Sequence, residues 1–399
     1  MIHFACMVLA AVGLVPRITY EGHPAGLFEK EAPTFCVAVS NLQGRVQDRG
    51  EFEVVVTDYG GRTVISNRTQ ITKVGPGAEF LSRRFELPNA GRNHYSVRVR
   101  AFAPGYGVGT AESVCSALGG MVARDLGKFG VNLVYLPDAA AKASARRLLE
   151  LAGMRTASVR AGKGFSTHRD GNACGGFGWQ HRVMENVVRK EGKPCDIPNA
   201  CANTAWGLGG QWKGLLVPYE DKVLLEVLSA AACTNCASFR YFSLFDGNPE
   251  NYGMSEDRIA SAKAQTWWPV KQGLATEPKA GGLAKPGWMA FQFAVWLADG
   301  ASDWRFDVRR DGIRCVSFLR RGIRWDVVWL NDPFGVLPRQ APYRGFGEKP
   351  VAAKTVLLRG VGKQACLYDS IGRRLPAVTT TGGALSLELT ERLTVLRWR

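Results

Sequence analysis

Between about Phe35 and Phe102, apolar and polar residues alternate in short runs. Phe35-Cys-Val-Ala-Val, Glu51 to Val56, Thr63 to Ile65, Glu79 to Leu81 and Tyr95 to Phe102 each repeat with period two. That spacing predicts strands with one buried face. Asp58-Tyr-Gly-Gly-Arg62, Gly75-Pro-Gly77 and Pro88-Asn-Ala-Gly91 supply the turns between them. Short strands at this spacing read as an all-β sandwich. Ala103-Pro-Gly-Tyr-Gly-Val-Gly109 then reads as an exit linker.

Near Lys128 the pattern changes. Phe129 to Leu136 is almost continuously apolar, as a strand buried on both faces should be. Ala139 to Ala152 places Ala145, Leu148, Leu149 and Ala152 on one helical face, and Gly153 stands at the C′ position of that helix. Thr156 to Arg160 follows as a short strand. The three together form a β-α-β unit, which implies parallel strands. Further helices are predicted at about 181–190, 220–232 and 288–297. The poor strand candidate Cys195 to Asn199 and the aromatic strand Ser238 to Phe245 stand between them.

Strands return from Trp304: Trp304 to Val308, Ile313 to Phe318, Trp325 to Leu330, Thr355 to Leu358, Ala365 to Tyr368 and Leu393 to Trp398. Asp369-Ser-Ile-Gly-Arg373 echoes the Asp58–Arg62 turn. The fold class expected is therefore multi-domain α+β. It comprises an N-terminal β-sandwich (17–115), a reduced, barrel-like β/α middle domain (116–300) and a C-terminal antiparallel β-sandwich (301–399).

The first residues change the expected location. Ile2 to Val15 is apolar apart from His3, and Ala11-Val12-Gly13 offers a small-x-small cleavage site. Residues 1–16 fit a signal peptide, which would make the chain secreted, periplasmic or cell-surface; the alternative is a buried first strand. No run reaches the roughly 20 apolar residues of a membrane helix.

The net charge is +16, and from Asp303 onward 18 Lys/Arg stand against 9 Asp/Glu. A basic surface attracts acidic polysaccharide, nucleic acid or anionic lipid, or it reflects background composition. Ten cysteines fit a mixture of disulfides and small buried residues. Cys233-Thr-Asn-Cys236 with Cys195 and Cys201 matches no common zinc spacing, so no metal is expected. Nucleotide cofactors are not expected either, because no phosphate-cradling glycine loop occurs.

The order of sandwich, β/α units and antiparallel β domain resembles bacterial glycoside hydrolases of the β-xylosidase/α-iduronidase-like kind. Phe129 to Arg160 resembles their first barrel strand, first helix and second strand, which commonly ends in an arginine. Phe177-Gly-Trp-Gln-His-Arg-Val-Met-Glu with Glu191-Gly-Lys-Pro is similar to their second helix and the entry to strand three. Trp206 falls where a tryptophan often follows that strand. Phe239 to Asp246 and Lys285-Pro-Gly-Trp-Met-Ala-Phe are similar to the last strand and the closing helix.

The resemblance implies two catalytic glutamates, one after strand four and one ending strand seven. About 30 residues separate Trp206 from the strand near Ser238, and a helix takes much of that length. Four more β/α units at about 30 residues each do not fit. Strands four to seven are thus expected to be missing, and both glutamates with them.

Hydrolysis needs two carboxyl groups, about 5–5.5 Å apart for retention or roughly 6.5–9.5 Å for inversion. They should lie at the carboxyl ends of the strands. Asp196, Asp246 and Glu250 are the eligible acids, with solvated loop acids as the alternative. Sugar faces stack on aromatic rings, so Trp179, Trp206, Tyr252 and Trp268, with Arg160 and His181, are the candidate ligand contacts. The partner expected is polysaccharide or oligosaccharide. The competing readings are a non-catalytic carbohydrate-binding protein and a polyanion binder.

Overall fold

The computed structural model describes residues 13–47, 49–82, 84–88, 91–131, 139–156, 166–167, 195–200, 219–233, 236–241, 244–245, 273–277, 281–308, 312–330, 353–359, 364–379, 381 and 384–399. The chain divides into two compact units, 1–119 and 120–399.

The first unit is built of β1 (Leu14–Thr19), β2 (Leu27–Phe28), β3 (Thr34–Asn41), β4 (Gly50–Asp58), β5 (Thr63–Ile71), β6 (Glu79–Leu81), β7 (Phe85–Glu86), β8 (Asn93–Phe102) and β9 (Gly109–Ala117). One sheet has the order β1-β3-β6, with β7 also on β3; the other runs β2-β9-β8-β4-β5. The period-two pattern decides the packing. Val37 and Val39 of one sheet, and Phe52, Val54, Val56, Val97 and Val99 of the other, share one buried cluster. Burying each such side chain contributes about 1.5–3 kcal/mol. The result is a β-sandwich.

Two expectations change here. Ala103 to Gly109 is not an exit linker, because β9 follows it and pairs antiparallel with β8 along its length, Ala101 opposite Gly109. The segment is the hairpin turn between them. Leu14, Val15 and Pro16 belong to β1, paired with Asn41, Ser40 and Val39, and Leu14 is buried. A leader boundary at residue 16 would cut that strand in half, so it is drawn too late.

The second unit opens with parallel strands. β10 (Phe129–Val131), β11 (Arg155–Thr156), β12 (Ser166–Thr167), β13 (Cys195–Ala200) and β14 (Cys236–Tyr241) form one sheet in the order β11-β10-β14-β13-β12. Helix α1 (Ala139–Ala152) joins β10 to β11 and buries Ala141, Ala145, Leu148 and Ala152 on one face. Gly153 ends it at φ +62°. Its amide donates to Glu150 O, and that of Met154 to Leu149 O, the paired bonds of a Schellman cap. Helix α2 (Tyr219–Ala232) stands between β13 and β14 in the chain. The helix expected at 181–190 lies outside the described residues.

Strand order carries the main point. The first strand, β10, pairs directly with the last, β14, and β14 pairs directly with β13. No strand stands between β13 and β14 in the sheet. Five strands are in register, and among the described residues no pairing joins the edges β11 and β12.

Helix α3 (Pro286–Ala298) is apolar all round and almost wholly buried. On one side Phe291 meets Phe129 and Tyr241 edge-to-face, at 6.2 and 6.1 Å. On another, Phe293 lies 6.1 Å from Tyr368 and Trp296 5.9 Å from Trp325. Those last partners belong to an antiparallel sheet of β15 (Ala301–Val308), β16 (Ile313–Arg320), β17 (Ile323–Leu330), β22 (Thr394–Trp398), β19 (Gln364–Tyr368) and β20 (Val378–Thr379), in that order. β18 (Lys354–Arg359) pairs with β21 (Ala384–Leu389). Leu358 and Leu385 of this pair share a core with Val328, Leu367 and Leu396 of the six-stranded sheet. The parallel and antiparallel parts thus share α3 and belong to one contact unit, with no gap at 300/301.

The echo between Asp58–Arg62 and Asp369–Arg373 is structural. In each turn the aspartate Oδ1 accepts the arginine amide at 2.9 Å. The glycine amide donates to the aspartate carbonyl at 2.9 Å. Gly61 and Gly372 take φ +81° and +80°, a conformation glycine adopts without a Cβ penalty.

Candidate functional site

The parallel sheet gives every candidate residue an address. Its strands are described, toward their carboxyl side, as far as Val131, Thr156, Thr167, Ala200 and Tyr241. Arg160 follows β11; Trp179 and His181 follow β12; Trp206 follows β13; Asp246, Glu250, Tyr252 and Trp268 follow β14. All eight lie outside the described residues. In chain order, each belongs to a segment that leaves the carboxyl end of a parallel strand, where ligands of such sheets bind.

Asp196 is the exception. It is the second residue of β13, in register with Thr167 and Ser238, one step before the level where Ile197 meets Phe239. Phe239 in turn pairs with Phe129, the first residue of β10. Asp196 is thus level with the last described residue of β12 and with the third residue of β14.

The described framework holds this carboxyl edge firmly. Phe245, which immediately precedes Asp246, is fully buried and forms a parallel bridge with Ala275, which bridges Ala284 in turn. Ala275 N donates to Leu244 O at 2.8 Å. Gly282 packs so closely on the Phe245 ring that an added Cβ would meet it at 2.7 Å. Phe129, Phe239 and Tyr241 pack against one another or against Phe291 beneath.

The amino edge is polar and internally satisfied. Lys128 Nζ donates to Ala230 O, Ala231 O and Cys233 O at 2.8, 3.3 and 3.4 Å, capping the carboxyl end of α2 where a cation is favoured. Burial pushes its ammonium pKa down. Asp125 accepts from Arg155 Nε at 2.7 Å and from the Gly127 amide at 2.7 Å. Burial alone would raise the Asp125 pKa, but these donors hold it below its ordinary value. Such a satisfied edge is structural in character.

One buried pair escaped the sequence reading. Asp221, in the first turn of α2, is fully buried and accepts from Arg392, which precedes β22. The signal available was an acidic pair, Glu220-Asp221, at a helix start, and that pattern is read first as dipole complementarity. Among the described residues no group of three His, Cys, Asp or Glu side chains is gathered for a metal. Cys36, Cys115, Cys315 and Cys366 are thiols, where a share of disulfides was expected. No described helix is long and apolar enough to cross a membrane.

No family model matches the sequence, and no curated protein matches it. Solved structures give weak likenesses. A CARDB domain from Pyrococcus furiosus aligns at 15% identity over 26% of this chain and 87% of that one, with a TM-score of 0.20. Red sea bream transglutaminase aligns at 14% identity over 30% of this chain and 19% of that one, at 0.23. The Bacteroides uniformis beta-glucuronidase aligns at 8% identity over 95% of this chain and 57% of that one, at 0.24. At these scores the likenesses decide neither fold nor function.

Proposed function

We propose that this chain is an extracellular, glycoside hydrolase-like protein that binds polysaccharide or oligosaccharide and has lost hydrolysis. The observation that carries the reading is the direct pairing of β13 with β14 and of β14 with β10. In the barrel family it resembles, four further strands separate the third from the last, and those strands bear the acid/base and the nucleophile. Here β13, which the likeness matches to the third strand although β12 precedes it in the chain, pairs directly with β14, and β14 with β10. On this reading the ligand is met by the segments that follow the parallel strands in the chain and carry Trp179, Trp206, Tyr252 and Trp268, beside Arg160 and His181. Rings there would stack on sugar faces, and the two cationic or polar groups would take hydroxyls or a carboxylate.

On this reading the chain order of sandwich, β/α part and antiparallel β part follows the family order, and the apolar start of the chain serves export. The test is a glycan array probed with the full chain and with W206A/W268A. Retention of one glycan class by the parent, and its loss in the double variant, supports the reading. No retained glycan for the parent refutes it.

A further inference from the structure

Register places four features at one end of the first unit's sandwich. β3 leaves that end at Asn41 and β4 enters at Gly50, which pairs with Ile71 at the finish of β5. Glu51 pairs with Phe102 at the finish of β8. The end is therefore made by the turns 42–49, 72–78 and 103–108, together with Gly13, where the chain arrives from the apolar run Ile2 to Val12. Gly13 is tied into it: Leu42 N donates to Gly13 O at 3.3 Å, and the Tyr106 ring lies so close that a Cβ on Gly13 would meet it at 2.7 Å.

Six large apolar side chains are exposed among the described residues, and three of them crowd this end: Leu42 at 65%, Val46 at 43% and Val108 at 41%. Single exposed aliphatics are ordinary, whereas a cluster marks an interaction surface. The turns are braced rather than loose. Asn41, fully buried, donates through Nδ2 to Arg45 O and Val74 O at 2.9 Å each, and its Oδ1 accepts the Gln43 amide at 2.9 Å. Arg45 Nε donates to Tyr106 Oη at 2.8 Å. The fold thus holds apolar side chains outward at a defined place.

The turns themselves carry a positive balance: Arg45, Arg49 and Lys73 are exposed, against Asp48 within the turns, while Glu79, just after them, is paired with Arg17. We propose that this end of the sandwich docks on the surface of an anionic lipid bilayer. Leu42, Val46 and Val108 enter the headgroup boundary, and the three cations meet lipid phosphates. Aliphatic side chains alternating with cations along turns is the composition an interfacial anchor uses. This inference does not depend on glycan binding.

The experiment is flotation of the full chain with phosphatidylcholine vesicles, with and without phosphatidylglycerol. The variants are L42D/V46D/V108D and, as a control elsewhere, L357D, whose leucine is 64% exposed on β18. Near-unchanged thermal transitions in both variants establish that they fold. The expected result is binding that requires phosphatidylglycerol, falls by about tenfold or more in the triple variant, and is unchanged in L357D. Three results overturn the proposal: no binding by the parent, equal binding by the triple variant, or an equal fall in L357D.

Discussion

Arg392 closes on Asp221 across 171 positions of sequence, with Nε at 2.8 Å and Nη2 at 3.3 Å from its two carboxylate oxygens. The Leu393 amide adds a third donor at 3.1 Å. The carboxylate is fully buried while the guanidinium is 42% exposed. The pair fastens α2, which belongs to the parallel part, to the antiparallel sheet at β22. It is the polar counterpart of the apolar seam made by α3.

Replacing Arg392 leaves Asp221 buried with a single amide donor, and an uncompensated buried carboxylate is expensive. R392L is expected to cost about 3 kcal/mol in urea denaturation, and D221N/R392L to regain part of that loss. A loss under about 0.5 kcal/mol for R392L would mean that the pair adds nothing to the seam.

Phe291 is fully buried between Phe129 and Tyr241. F291A removes the ring from beneath the first and last parallel strands and is expected to cost about 3–5 kcal/mol. Because α3 serves both sheets, one cooperative transition of residues 120–399 should shift as a whole. A transition that splits, leaving the antiparallel sheet unaffected, would contradict the shared-helix account.

Gly153 holds φ +62°, and a Cβ there would meet Arg124 O at 2.3 Å. G153A should therefore destabilise by about 2 kcal/mol or more, as both the left-handed backbone and the close approach penalise it. An unchanged denaturation midpoint would remove the cap from the argument.

His94 is buried in β8 with Nδ1 2.9 Å from Ser116 Oγ, and burial lowers its pKa to about 4. The fold therefore prefers the neutral ring. Above pH about 6.5 neither folded nor unfolded chain binds this proton, and the stability is fully present. As pH falls from about 6.5 toward 4, the unfolded chain gains a proton that the folded chain refuses, and stability drops by about 3 kcal/mol at most. Below about 4 this contribution levels off. H94Q should flatten the slope in that window; an equally steep slope in H94Q would place its origin elsewhere.

Local periodicity made much of this fold legible. The bounds of α1 and its Gly153 cap can be read from the alanine–leucine spacing. The two Asp-to-Arg turns can be read from their letters, because each is set by residues within five positions. What escaped depends on distant partners. The apolar start conceals that Leu14 begins a strand, since only pairing with β3 distinguishes a strand from a leader. Ala103 to Gly109 reads as a linker because β9, Gly-Thr-Ala-Glu-Ser-Val-Cys-Ser-Ala, alternates weakly and owes its place to β8. The Pro198 within Cys195 to Ala200 argues against a strand, yet its neighbours on both sides impose one. Of the candidate site the sequence offers only the chain order of its segments, because side-chain convergence depends on partners far apart in the chain.

The claim on which the functional account turns is that the parallel sheet lacks the strands bearing both family carboxylates. The most direct measurement is hydrolysis by the full chain of a broad panel of aryl glycosides, run beside binding of the glycan class retained on the array. The account predicts saturable binding with no aglycone released above the uncatalysed rate. Turnover that disappears in D246N or E250Q would contradict it.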